Sequence, residues 1–385
     1  MNNTHLPKQV STTPRALLIE WQDGHVSEFS SIWLRDNSPA DRDPVNGQRL
    51  VDIVELPPDP RIESATLRPG TVLVQWEAGT QAASFDLSWL ARHVPGGDSH
   101  YVAEFGARAW LQGASADAVK DFAWVTLEEM RGSPAARLAW LGRLLQDGMA
   151  FMRGVPCESG TILQAVEPIG HVLETNYGKV FDVRSVPQPE NLAYSDLGLG
   201  LHTDNPYREP VPGFQVLHVI AASAEGGESL FADGFALAEH LRAVEPDAFE
   251  LLTQTAVPFL YRSKDAELYA ERPFIQLSCD GAVVEAVHYN SRSIAPMRLP
   301  APRMERFYAS YRVFAELLRD SRYQLRLRLR DGDLVAFDNR RILHGRTAFS
   351  SARSLRHLQG CYLTRDSVYS EAAMLHRKLA DERRA

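Results

Sequence analysis

Cysteine is scarce in this chain. Cys157, Cys279 and Cys361 are the only three among 385 residues, and they lie far apart. Such spacing contains no CxxC pair, so it excludes a thiolate metal cluster and offers no disulfide framework. A reducing, cytoplasmic setting is the expectation that follows. Positive charge is also in deficit: 41 Lys and Arg against 49 Asp and Glu give a formal charge of -8. Nothing in that balance neutralises phosphates, so no nucleic-acid partner is expected. Long apolar runs are missing too. No stretch reaches the roughly 20 residues that span a bilayer, and Met1 to Thr13 is polar where a secretion signal would be apolar. No membrane partner is expected. What remains is a globular chain too long for one small core, which predicts two domains or one large domain with an appendage.

The pattern divides it as a small β-rich N-terminal domain over 1–105 and a larger domain over 106–385. Pro95-Gly96-Gly97-Asp98 and Gly113-Ala114-Ser115 supply the linker signal. In the small domain, Ala16 to Trp21 and the alternating Val72, Val74 and Trp76 read as strands. Phe29-x-x-x-Trp33-Leu34 is echoed by Phe85-x-x-x-Trp89-Leu90. The echo is either a weak internal duplication or two strand-to-helix corners filled alike, the second being preferred. Downstream, leucines at helical spacing predict a helix over Ala135 to Gln146, and Thr161 to Thr175 reads as another, broken at Pro168. Short strands follow between Pro and Gly, at Phe214 to Ile220, Leu230-Phe231, Ala256 to Tyr261, Phe274 to Leu277, Val283 to Tyr289, Leu334 to Phe337 and Leu358 to Leu363. A helix is predicted over Arg303 to Leu318, and Glu371 to Ala385 is helix-prone. Many short strands with few helices predict a mainly β fold with flanking helices, a double-sheet jelly roll.

One motif stands out within that frame. Leu201-His202-Thr203-Asp204-Asn205-Pro206 sets a His and an Asp two residues apart, and an extended backbone turns both side chains to one side. His344, in Ile342-Leu343-His344-Gly345-Arg346, supplies a third donor. Two His and one carboxylate on one face of a metal leave its other face open, the arrangement of non-haem Fe(II) oxygenases. Arg356 lies a short distance beyond, and its planar fork suits a carboxylate.

Several stretches in this order resemble the γ-butyrobetaine dioxygenase group of the Fe(II)/2-oxoglutarate-dependent, taurine-dioxygenase-like oxygenases. They are Trp33-Leu34-Arg35-Asp36-Asn37, His202 through Gly213, Gly226-Gly227-Glu228-Ser229, Asp338-Asn339 with His344-Gly345-Arg346, and Arg356-His357-Leu358 with Gly360 and Tyr362. The resemblance implies a double-stranded β-helix catalytic domain. It implies His202, Asp204 and His344 as catalytic iron ligands, with Arg356, helped by Ser229, holding 2-oxoglutarate, and O2 as the oxidant. It maps an aromatic cage for a quaternary ammonium onto Tyr177, Phe181, Tyr194 and Tyr362. That assignment has physical sense, since a trimethylammonium donates no ordinary hydrogen bond and is best held by ring faces. The substrate's anionic end would meet Asn191 and the Asn290-Ser291-Arg292 segment. A homodimer is implied as well.

Two departures from the family pattern matter. Relatives carry a zinc site in the small domain, but here its thiolate positions read Ser38, Ala40 and Asp43, and the later His position reads Gln81 or a neighbour. No structural zinc is expected there. Then, Asn290-Ser291-Arg292 stands where an Asn pair is found, and Phe181 stands where a Trp is often found. An added guanidinium suits a dianionic head group. The expected activity is hydroxylation of a small trimethylammonium zwitterion, γ-butyrobetaine or its phosphonate analogue (2-trimethylammonio)ethylphosphonate. Trimethyllysine hydroxylation, a catalytically silent quaternary-ammonium binding protein and a zinc hydrolase are the rival readings. The last lacks a general base singled out by sequence.

Overall fold

The structure, a computed structural model, describes residues 6–77, 81–96, 105–111, 122, 124–184, 196–222, 226–349 and 356–382. The chain divides into two compact units, Met1–Glu104 and Phe105–Ala385. Among the described residues no helix is long and apolar enough to cross a membrane.

In the first unit, β1 (Pro7–Thr13), β2 (Ala16–Trp21) and β3 (Val26–Ser30) form an antiparallel sheet that runs into α1 (Ser31–Asp36). The order then repeats with β4 (Ile62–Arg68), β5 (Thr71–Trp76), β6 (Ala83–Asp86) and α2 (Leu87–Arg92). Period-two alternation buries Leu17, Ile19 and Trp21 from β2 with Val72, Val74 and Trp76 from β5 in one core. The sequence echo marks the two strand-to-helix corners: Phe29, Leu34, Phe85 and Leu90 are all buried, and Trp33 stacks on Trp89 at 5.2 Å. Those corners close two units of the same element order, so the repeat is one of architecture as well as of packing. The loop after α1 is tied by polar bonds. Arg35 pairs with Asp41, Arg49 with Asp36 at 2.6 Å, and Asp43 accepts the backbone N–H groups of Val45 and Asn46 at 2.9 Å each.

The second unit is built on two facing sheets. Its strands are β7 (Trp124–Thr126), β8 (Met149–Arg153), β9 (Val172–Leu173), β10 (Phe181–Arg184), β11 (Leu199–His202), β12 (Phe214–Ala221), β13 (Ser229–Asp233), β14 (Val257–Arg262), β15 (Glu267–Arg272), β16 (Ile275–Leu277), β17 (Val284–Val287), β18 (Leu325–Leu327), β19 (Leu334–Asp338), β20 (Ile342–Arg346) and β21 (His357–Leu363). The larger sheet runs β10-β21-β12-β19-β8-β7, with β9 beside β21, and the smaller runs β11-β20-β13-β18. Between them pack Phe151, Val219, Phe231, Val335, Phe337 and Leu358, contributed by both sheets. This is the double-stranded β-helix expected from the sequence.

Alternation along β12 decides what each face of the large sheet does. Phe214 and Val216 point outward, to a core completed by α4 (Pro134–Asp147), α5 (Thr161–Val166) and α9 (Arg365–Glu382), which follow α3 (Leu127–Gly132). Gln215 and Leu217 point inward, to a cavity between the sheets. The helix expected over Thr161 to Thr175 is shorter than predicted. It ends at Val166, because Pro168 has no N–H to continue the ladder, and the chain turns into β9.

Between β13 and β18 the chain inserts a second core. Here α6 (Gly234–Val244), α7 (Pro246–Gln254) and α8 (Ala301–Arg319) pack with the β14–β15 and β16–β17 hairpins around Phe259, Phe274, Phe307 and Phe314. The helix predicted over Arg303 to Leu318 is present as α8. Both α6 and α7 escaped the sequence pattern, being short, one opening on Gly234 and one on Pro246. Asp233 caps α6 by accepting the Phe235 N–H at 3.0 Å, satisfying a donor the helix leaves unpaired.

Candidate metal centre

His202 closes β11 and pairs in register with His344 on β20, so the two rings face each other with centroids 4.2 Å apart. Asp204 lies just beyond the strand end. Its Oδ1 is 3.3 Å from His202 Nε2, and its Oδ2 is 3.8 Å from His344 Nε2. Ligand atoms from the three residues all fall within 4.8 Å of one another. His202 Nδ1 is 2.9 Å from the Gly200 carbonyl; that bond places the proton on Nδ1 and leaves the Nε2 lone pair free. Burial, together with the neighbouring His202 ring and Arg292, pushes His344 down to about 3, so its imidazole is neutral. Burial alone would raise the Asp204 carboxyl, but His344, His202 and the Tyr362 hydroxyl outweigh it and hold the group well below the usual carboxylate range. Two imidazoles and a carboxylate, each with a free donor atom, fit a divalent iron ion.

Three segments distant in sequence grip the turn that carries this set. Thr203, between the two ligands, donates its N–H to the Tyr289 carbonyl at 2.7 Å. Its hydroxyl accepts the Tyr289 N–H at 2.9 Å, and its carbonyl accepts from Asn290 Nδ2 at 3.2 Å. Asn339, fully buried, brackets the Asp204 backbone: Oδ1 accepts the Asp204 N–H at 2.7 Å and Nδ2 donates to the Asp204 carbonyl at 3.0 Å. Tyr362 donates its hydroxyl proton to Asp204 Oδ2 at 2.8 Å. Rotation of the ligating carboxylate is thereby stopped from behind, as partners of metal ligands generally do.

The triad opens onto the cavity between the sheets, also lined by Arg356, Ser229, Arg346, Gln215, Leu217 and Leu358. Arg356 is 7% exposed, and among the described residues no carboxylate pairs with it. Its guanidinium lies 5.6 Å from the Phe349 ring, on which Arg346 also rests at 5.4 Å. Burial, and then Arg346, pushes Arg356 down to about 10; burial, and then Arg292, does the same to Arg346. A buried cation of this kind is costly unless an anion meets it. Arg356 thus offers an anion a buried positive charge on the same cavity that the triad faces. Gln215 is 2% exposed, and its buried Oε1 has no hydrogen-bond partner among the described residues.

Of the four aromatic residues expected around a cation, Tyr177, Phe181 and Tyr362 line the same cavity. Tyr177 and Phe181 have ring centroids 6.4 Å apart, and Phe181 and Tyr362 are 5.1 Å apart. Tyr207 stacks on Tyr261 at 5.2 Å behind them, and the Arg208 guanidinium lies 5.8 Å over Tyr177. Tyr194 and Asn191 lie outside the described residues. Asn290 sits away from the cavity wall and spends its amide nitrogen on Thr203. Ser291 and Arg292 form a single 3-10 turn. Neither lines the cavity, yet the Arg292 charge acts on both Asp204 and His344.

Sequence reasoning gave no role to Gln215, Asn205, Tyr207, Asn339, Arg346 or Phe349. A signal existed for Asn205 and Asn339, which sit beside motif residues. Tyr207 and Arg346 also fall inside motif stretches, Gln215 was marked only by the in-out alternation of its strand, and Phe349 carried no cue.

The chain matches two protein families. Residues 117–362 match "Taurine catabolism dioxygenase TauD, TfdA family", and residues 8–91 match "Gamma-butyrobetaine hydroxylase-like, N-terminal". It is 36% identical to the gamma-butyrobetaine dioxygenase of Pseudomonas sp. (strain AK-1), over 93% of each chain. It is 30% identical to dioxygenase str8 of Strobilurus tenacellus, over 89% of this chain and 84% of that one. It is also 28% identical to the mitochondrial trimethyllysine dioxygenase of Bos taurus, over 91% of this chain and 83% of that one.

Proposed function

We propose that this chain, which belongs to the taurine catabolism dioxygenase TauD, TfdA family, hydroxylates a small trimethylammonium zwitterion. It is a dioxygenase whose cofactors are iron and 2-oxoglutarate. One observation carries the substrate class: Tyr177, Phe181 and Tyr362 wall the same cavity as the metal triad. Aromatic faces hold a cation that cannot donate a hydrogen bond, each desolvated contact contributing ~2 kcal/mol.

His202, Asp204 and His344 hold the iron, and Arg356 with Ser229 holds the far carboxylate of 2-oxoglutarate. When bound, that pair would activate O2, one oxygen atom of which would turn a substrate C–H into C–OH while the other entered the succinate formed, with carbon dioxide, from 2-oxoglutarate. The protein's own part is positioning. Leu217 and Leu358 keep water from the co-substrate chain, and Asn339 and Tyr362 fix the Asp204 carboxylate. The rings hold the cationic end of the substrate, and the Arg292 charge, felt at Asp204 and His344, attracts the anionic end together with Asn191. Fixing both ends selects which carbon faces the metal, so regiochemistry is set by binding energy remote from the reacting bond.

γ-Butyrobetaine and (2-trimethylammonio)ethylphosphonate are the two candidate substrates. The charge of Arg292, felt at Asp204 and His344, favours the dianionic phosphonate. Succinate release with iron, 2-oxoglutarate and each compound in turn tests the choice. Turnover of γ-butyrobetaine alone sinks the phosphonate, and turnover of neither removes the substrate class. Arg356→Ala is expected to raise the 2-oxoglutarate KM at least tenfold. The protein acts as a cytoplasmic homodimer, a reading that rests on the family resemblance and the low cysteine content and that sedimentation velocity would test for oligomeric state.

A further inference from the structure

A single directed chain of hydrogen bonds runs from the aromatic wall to the metal carboxylate. The Tyr177 hydroxyl is 3.4 Å from the Tyr207 hydroxyl. Tyr207 donates to Asn205 Oδ1 at 2.6 Å, Asn205 Nδ2 donates to the Tyr362 oxygen at 3.1 Å, and Tyr362 donates to Asp204 Oδ2 at 2.8 Å. Because the Tyr207 proton is committed to Asn205, Tyr177 must be the donor in the first link. Every link then points toward Asp204.

Asn205 is the pivot. It is buried and is the one non-glycine residue at positive φ among those described, at 54°. That conformation costs free energy, and Asn tolerates it better than most residues. Its carboxamide offers both the acceptor that Tyr207 needs and the donor that Tyr362 needs. The first and last tyrosines of the relay, Tyr177 and Tyr362, are also two of the three rings assigned to the cation, and Tyr362 touches both sides with one side chain.

We propose that this relay couples the aromatic pocket to the metal centre: a trimethylammonium on the Tyr177 and Tyr362 rings and a divalent metal on Asp204 each order the same four groups, so each tightens the other's binding. The proposal rests on the substrate class argued above. Direct repulsion between the two cations opposes it but is the same in any variant that keeps the rings and the triad. Aligned hydrogen bonds polarise one another, so holding either end stiffens the whole chain. Reciprocity requires the metal and the cation to change each other's affinity by the same factor.

The test is calorimetric. The Kd of γ-butyrobetaine is measured with and without Mn(II), under argon, for the wild-type protein and for Tyr207→Phe, which breaks the chain while leaving both end rings and all three ligands. The ratio of metal-free to metal-loaded Kd is expected to be at least about fivefold larger in the wild type, the lower end of ordinary coupling. The Mn(II) Kd with and without γ-butyrobetaine should shift by the same ratio. Asn205→Asp, which keeps the acceptor but loses the Nδ2 donor, should lose the coupling too, and it decides the matter if Tyr207→Phe does not fold. Equal ratios in wild type and folded variants overturn the relay while leaving the substrate class intact. Absence of saturable γ-butyrobetaine binding to the wild type overturns the relay together with that class.

Discussion

Asn339 and Asp204, 135 residues apart, are joined by two hydrogen bonds, Asp204 N–H to Asn339 Oδ1 at 2.7 Å and Asn339 Nδ2 to the Asp204 carbonyl at 3.0 Å. The side chain of one residue thus completes the backbone pairing that the other loses where β11 stops. A third bond, Asn339 Nδ2 to the Pro212 carbonyl at 3.1 Å, ties the far side of the same loop. Asn339→Ala is expected to weaken divalent-metal binding by about 10- to 100-fold, as loss of a ligand's supporting partner generally does. Mn(II) titration of wild type and variant measures it, and unchanged affinity would show that the loop holds Asp204 without help.

Gln215 presents the opposite case, a polar group kept where stability does not want it. Its buried Oε1 lacks a partner among the described residues, which costs roughly 1–3 kcal/mol. Gln215→Leu should therefore raise the melting temperature of the metal-free protein while lowering turnover. Differential scanning fluorimetry beside a succinate assay reads both, and a variant that loses stability contradicts the reading.

Gly360 decides where the Phe181 ring can sit. A Cβ at that position would overlap the edge of the Phe181 ring, whereas the backbone there needs no unusual φ. Gly360→Ala is expected to push Phe181 off Tyr362 and raise the Kd for a trimethylammonium ligand, with Mn(II) affinity unchanged. A shifted ring costs packing of about 1–3 kcal/mol at most, so the variant should still fold.

Acid stability has an identifiable contributor away from the metal. His288 is buried beside Arg272 and Arg340, its Nε2 is 3.2 Å from Gln276 Oε1, and its N–H pairs with the Phe274 carbonyl. Burial, then Arg272 and Arg340, pushes it down to about 3 from an ordinary value of 6.5. Between those values the unfolded chain takes up a proton that the folded chain refuses. The contribution is thus complete above 6.5 and is lost as pH falls, at up to about 1.4 kcal/mol per pH unit. His288→Gln should flatten urea-derived stability across that window relative to wild type; an unchanged slope removes His288 from the account.

Much of the site was legible in the linear sequence, for local physical reasons. An extended backbone turns residues i and i+2 to one side, so His202-x-Asp204 announced a ligand pair before any fold was known. The apolar strand around His344 and the cation at Arg356 completed a chemically coherent set, and the alternation in β2 and β5 announced the small unit's core. Sequence also settled what the chain cannot do with cysteine, because Ser38, Ala40 and Asp43 bring no thiolate to the loop after α1.

Tertiary structure alone decided which residues stand behind those ligands. Asn290 gives its amide nitrogen to the Thr203 carbonyl, and Tyr362 joins the aromatic wall to Asp204. Gln215 became a cavity residue only because β12 lies between β21 and β19, which sets its inward face opposite the triad. No local pattern encodes such partners. Side-chain periodicity is written along one strand, but contacts between strands far apart in sequence depend on sheet order and register, which arise only when the two sheets close on each other.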